Sequence, residues 1–240
     1  METSNPLLKR AGAFTPSMAQ TEGMSLQGVI NKTGILLLLC LGAGSFAWSH
    51  PELRGLLLIV GLLGGLIASL VGIFKPATCP VTAPVYAVLE GLALGAISYV
   101  FQSQYRGIVA NALLLTFGVL GLMLLLYTTR IIRVTSGLAK GIFAATAAVA
   151  LVYVIDLLLN MFGVRMPLIH QGGMLGITIS VVIAGIAAFN LLLDFAVIEK
   201  AVESRSPRFM EWYCGMSLLI TLVWLYLELL RLLAKLRGRD

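Results

Sequence analysis

Four carboxylic acids stand inside long apolar runs of this chain: Glu90, Asp156, Asp194 and Glu228. An ionisable group near the centre of a bilayer costs about 2.5 to 3.5 kcal/mol on insertion scales, so four charged, unpaired acids at mid-depth would cost roughly 10 kcal/mol. Acids that carry such a cost face a bundle interior or a water-filled cavity, where they relay protons or meet cations. Glu90 lies near the middle of its run and is the hardest to place in solvent. Asp156 lies near the end of its run beside Asn160, which favours an interfacial, solvated carboxylate. Asp194, in NLLLDF with Asn190 one turn before it, sits about a turn inside the polar break that begins at Glu199 and Lys200. Glu228 has Arg231 one turn along the same helix, so a local ion pair and a functional acid are both open readings.

The last apolar run carries the clearest pattern. Ser217, Thr221, Trp224, Glu228, Arg231 and Lys235 recur three and four residues apart, which places them on one helical face, while leucines cover the rest. A polar stripe through a membrane helix faces protein or water. Thr146, Tyr153, Asp156 and Asn160 repeat the idea in the fifth run, and Thr82, Tyr86 and Glu90 in the third. Convergence of these stripes on one polar pathway is expected.

The elements that must position these residues follow from composition. The chain has 240 residues, 59% hydrophobic and 12% charged, with mean hydropathy +0.96. Those values exclude a water-soluble enzyme and a disordered chain. The net charge of +6 belongs to loops flanking membrane spans rather than to a nucleic-acid surface. Cys40, Cys79 and Cys214 have no metal-ligand spacing, and His50 and His170 are the only histidines. No thiol cluster, disulfide framework, resident cofactor or His-based catalytic constellation is expected, and the chain does not read as an enzyme.

A polar leader covers residues 1–32, a membrane region residues 33–234, and a basic tail residues 235–240. The membrane region divides into seven apolar runs, near 33–48, 56–74, 81–101, 108–128, 138–162, 173–198 and 212–234. Most approach or exceed the ~20 residues that a helix needs to cross the hydrocarbon layer. The fold expected is therefore all-α, a polytopic bundle of seven transmembrane helices. All eight prolines fall in the leader, in breaks or near helix starts. Gly61 and Gly65, Gly91 and Gly95, and Gly172 and Gly176 each form a G-x-x-x-G spacing, read as close helix packing. With the leader inside, the inner segments hold Lys9, Arg10, Lys32, Lys75, Arg130, Arg133, Lys140, Lys200, Arg205 and Arg208. The outer loops then hold only Arg54, Arg106 and Arg165, which favours a cytoplasmic N-terminus. The tail, with Arg231, Lys235, Arg237 and Arg239, runs against that pattern.

The stretch from Leu191 to Leu233 resembles the Bax inhibitor family, the transmembrane Bax inhibitor motif proteins and their bacterial relatives. A Leu-x-x-Asp turn followed by an Ile-Glu-Lys segment is matched by Leu191, Asp194, Ile198, Glu199 and Lys200. The Leu- and aromatic-rich end of the family's seventh helix is matched by Leu225, Tyr226, Leu229, Leu230 and Arg231, and EGLALG at Glu90 to Gly95 fits its third.

The resemblance implies a bundle whose last helix is central, and a pH-sensitive calcium leak controlled by two carboxylates on the sixth and seventh helices. Two close carboxylates cannot both ionise cheaply, so proton and divalent cation compete there. Asp194 carries over, as the residue to meet Ca²⁺. The family's seventh-helix aspartates align between Met216 and Thr221, where this chain has no acid. Glu211 and Glu228 are the nearest substitutes. Glu211 is expected near the depth of Asp194, and Glu228 about 25 Å further along the helix at ~1.5 Å per residue. Two separate acidic stations are therefore expected, Asp194 and a deeper Glu228 or Glu90. Lys75 and Arg231 are the candidate counter-charges. The expected setting is a bacterial inner membrane, with Ca²⁺ or protons as the permeant. A non-conducting regulator that binds other membrane proteins is the alternative.

Overall fold

The computed structural model describes residues 23–163 and 173–238. Seven long helices run in chain order among the described residues: α1 (Leu26–Ser49), α2 (Arg54–Phe74), α3 (Cys79–Gln104), α4 (Ile108–Thr128), α5 (Ser136–Met161), α6 (Met174–Glu203) and α7 (Met210–Arg237). All seven are long and apolar enough to cross a membrane. The expected all-α membrane bundle is the observed one.

Helix α1 starts seven residues before the apolar run at 33. Ser25 supplies the reason: its side chain accepts from the Gly28 amide at 2.9 Å, satisfying one of the free donors of the first turn. Lys32 is therefore helical, part of α1 rather than of a leader. Short 3-10 turns, Pro51–Leu53 and Pro76–Thr78, join α1 to α2 and α2 to α3, each with proline in its first positions. Because α3 begins at Cys79, Pro84 falls inside it, in the second turn. Between α3 and α4 the chain reverses through Gly107 at φ +78°, a left-handed conformation that favours glycine.

Helix α7 is the hub. In its apolar window 61% of residues are buried, against 6% in α5. It packs against α1, α3, α4 and α6, while α2 lies outside on α3 and α5 outside on α6. Leu219, Leu225 and Leu230 of α7 are almost fully buried. Apolar faces can meet lipid, as those of α5 do, but the polar stripe of α7 has to meet protein, which is consistent with its central place.

The glycine spacings work as packing devices in two of the three expected places. A Cβ on Gly91 or Gly95 would lie closer than 3 Å to the backbone of Cys40 or Gly44, so these glycines let α3 touch the backbone of α1. A Cβ on Gly61 would stand 2.6 Å from the Leu89 carbonyl oxygen, which brings α2 against α3 in the same way. The pair Gly172 and Gly176 includes a residue outside the described ones, as are His170, Arg165, Lys9, Arg10 and Arg239.

Candidate functional site

Asp194 projects from α6 toward α7 about two and a half turns before the end of its helix. Ser217 Oγ donates to its Oδ1 at 2.7 Å, and Thr221 Oγ1 donates to its Oδ2 at 2.7 Å. Both hydroxyls come from the stripe of the central helix, four residues apart and so one above the other. The carboxylate therefore ties α6 to α7 through both of its oxygens. Among the described residues no Lys or Arg forms an ion pair with it.

Further along the stripe, three donors converge on Glu228 Oε1: the Tyr153 hydroxyl at 2.6 Å, Trp224 Nε1 at 3.1 Å and Arg231 Nη1 at 3.0 Å. Arg231 also donates to the Tyr153 hydroxyl at 2.7 Å, so the outer helix α5 is joined to the centre by a closed triangle. One turn on, Lys235 Nζ reaches Ser180 Oγ at 2.8 Å and the Gly176 carbonyl at 3.2 Å on α6. Asn190 donates to Thr146 at 2.8 Å, linking α6 to α5. Tyr153 and Thr146 of the α5 stripe thus join α7 and α6 in a polar seam between α5, α6 and α7, while Asn160 bonds back to the Asp156 carbonyl of its own helix. Tyr153→Phe removes one donor to a carboxylate that is 1% exposed. A loss of about 1 kcal/mol in unfolding free energy in detergent is expected, with Arg231→Met costing more because it leaves Glu228 without its cation.

A family model described as Bax inhibitor 1 like matches residues 5–238. The chain belongs to the Bax inhibitor 1 like family. No curated protein and no solved structure matches it.

Within this family frame the four candidate carboxylates fall into four surroundings. At the positions where the resemblance placed a second acid, Ser217 and Thr221 stand instead, and they are the groups that hold Asp194. Glu228 does not pair with Asp194. It is the local ion pair with Arg231 that the i, i+3 spacing allowed, reinforced from α5. Arg231 accordingly serves Glu228 and not Asp194.

Glu211 does not reach Asp194 either, although both stand toward the same end of the bundle. It turns to α1, where Lys32 Nζ meets its Oε2 at 2.5 Å, and the Ser25 amide and hydroxyl donate to its Oε1 at 2.9 and 3.2 Å. Glu211 is 2% exposed. Lys32 also lies 5.7 Å from the Trp212 ring centre. Gly28 is the reason the carboxylate fits, since a Cβ there would overlap it. Lys32 and Ser25 were hidden in the sequence because they precede the first apolar run and read as polar leader, and nothing local signals that Lys32 has a partner 179 residues away.

Glu90 is on the opposite side of the bundle. Its Oε2 lies 2.9 Å from where a Gly65 Cβ would stand, so it faces the small-residue wall of α2. The stripe of α3 therefore does not join the seam. Lys75, at the end of α2, is exposed and forms no ion pair among the described residues, so the expected counter-charge role is not seen. At the Asp194 end of α6, Tyr127 of α4 donates to Glu199, and Arg130 pairs with Glu199 at 3.6 Å.

Proposed function

We propose that this integral membrane protein is a cation leak, Ca²⁺ being the favoured permeant, in which Asp194 is the proton-sensitive gate. The observation that supports this most is the pair of hydroxyl bonds from Ser217 and Thr221 to the two oxygens of one carboxylate. An ionised carboxylate accepts at both oxygens and offers no donor, which matches two donating hydroxyls. Protonation turns one oxygen into a donor and removes the charge, so one of the two hydroxyls has to turn round and the α6 to α7 tie weakens. Flux is therefore expected to rise as the pH falls.

The same four oxygens suit Ca²⁺ without trapping it. Calcium takes six to eight oxygen ligands, and two carboxylate oxygens with two hydroxyls fall short of that set. A conducting site must bind weakly enough to release its ion. The neighbouring station at Glu228 has its Oε1 occupied by three donors and serves to hold the far half of the seam in place. The reading includes a bacterial inner membrane with the N-terminus inside, in line with the loop charges.

Calcium entry into dye-loaded proteoliposomes, at neutral and acid pH, tests the proposal. Asp194→Asn keeps the side-chain shape and offers one acceptor oxygen, so its flux is expected to be independent of pH and close to that of the acidified wild type. The same pH dependence in both proteins would remove Asp194 from the gate. No flux in either would leave the non-conducting regulator as the better reading.

A further inference from the structure

Away from the seam, a crevice of about 390 Å³ opens in the half of the bundle farthest from Ser25. Its floor is made by α3 and α7, with Gly95, Ser98, Leu219 and Tyr226 all buried. Its two walls are α1 and α4, which face each other across it without packing together. At the mouth, Leu41 is 45% and Phe117 43% exposed, and Ser45 and Ser49 are exposed beside them. These helices cross the membrane, so the mouth opens sideways into hydrocarbon rather than into water.

The chemistry of the lining selects the occupant. Ser98 and Tyr226 bond to each other at 2.7 Å, and Thr116 donates to the Ala112 carbonyl at 2.7 Å, so the buried polar groups of the crevice already have partners. A polar ligand would find nothing to bind there, whereas an alkyl chain would lose only its contact with other lipids. At ~30 Å³ for each unit, about the share of one water molecule in the liquid, the space holds roughly a dozen methylenes.

The rim adds charge. Arg54 Nη2 donates to the Trp48 carbonyl at 3.2 Å, and its guanidinium lies 3.2 Å from the Tyr99 ring centre. Trp48 itself lines the crevice and meets Tyr99 edge to face at 5.5 Å. On the other wall Arg106 immediately precedes the turn into α4, three residues before the lining residue Val109. Glu52 is the acid of the α1 to α2 turn, and it makes no ion pair with Arg54 among the described residues. Trp and Tyr at this level mark the headgroup region, and an arginine there suits a phosphate.

We infer that this crevice is a binding site for an anionic glycerophospholipid, with one acyl chain between α1 and α4 and the phosphate at Arg54. The site is independent of the Asp194 seam. Its occupancy would fix the spacing of two helices that both lean on α7.

Trp48 provides the probe. In a Trp212→Phe/Trp224→Phe background, the protein is placed in vesicles containing brominated-acyl phosphatidylglycerol or brominated-acyl phosphatidylcholine, and Trp48 fluorescence is read. Quenching by the phosphatidylglycerol is expected to be at least twofold greater. Arg54→Gln should abolish that preference and Arg54→Lys should keep it. Ser45→Phe, which fills the mouth from an exposed position, should reduce quenching by both lipids. Equal quenching by the two lipids, unchanged by Ser45→Phe, would mean annular lipid only and would overturn the inference.

Discussion

Lys32→Met is expected to lower the unfolding free energy in detergent by about 3 kcal/mol, although Lys32 lies outside every apolar run. Removing one partner of a buried ion pair costs about 3 to 5 kcal/mol because the other charge stays buried without compensation. Glu211 meets that condition, with a side chain 3% exposed. Lys32 is 16% exposed, which sets the expectation at the low end of the range. Glu211→Gln is expected to cost less, since the amide oxygen can still accept from Ser25 while the lysine reaches water. The double variant Lys32→Met/Glu211→Gln should recover part of the loss seen in Lys32→Met alone, as groups in contact are not additive. Chemical or thermal unfolding of the purified variants gives the measurement. A cost for Lys32→Met within ±0.5 kcal/mol of zero would show that the pair behaves as a surface salt bridge.

The second large effect belongs to Gly95. Its Cβ would meet the Gly44 carbonyl and Cα, and backbone cannot swing aside as the end of a side chain can. Gly95→Ala is therefore expected to cost about 3 kcal/mol, the upper end of the overpacking range, and to separate α1 from α3. Gly118→Ala on α4 is the matched control. No atom outside its own helix lies within 4 Å of that position, so alanine brings only its better helix propensity, a gain of up to about 1 kcal/mol. The two substitutions are chemically identical and should differ in sign. Equal effects at both positions would place the close approach of α1 and α3 in doubt.

That contrast shows what local sequence carries and what it leaves open. Both glycines look alike in the sequence, each inside an apolar run with further glycines nearby. Only Gly95 faces another backbone, and a G-x-x-x-G spacing with Gly91 was the one hint of it. The polar stripe of α7 was readable because three- and four-residue spacing is a property of a single helix. Its partners were not, since Ser217 and Thr221 meet Asp194 across an interhelical contact, and Tyr153 comes to Glu228 from 75 residues away. Arg231 is the exception that explains the rule: its pairing with Glu228 lies within one turn of one helix, and the spacing alone allowed it.

The seven spans, their approximate bounds and the four acids inside them were determined by the sequence alone, because hydrocarbon thickness and the cost of burying charge act on each segment independently. A central last helix came from the resemblance, and the burial of α7 agrees with it. The division of the candidate site acids Asp194, Glu228, Glu211 and Glu90 among four surroundings was decided by tertiary structure only. Asp194 takes two hydroxyls from α7, Glu228 takes three donors at the far end of the seam, Glu211 turns away to Lys32, and Glu90 faces the small-residue wall of α2. A carboxylate accepts from whichever donor packing delivers within about 3 Å, and that delivery depends on how helices distant in the chain cross one another.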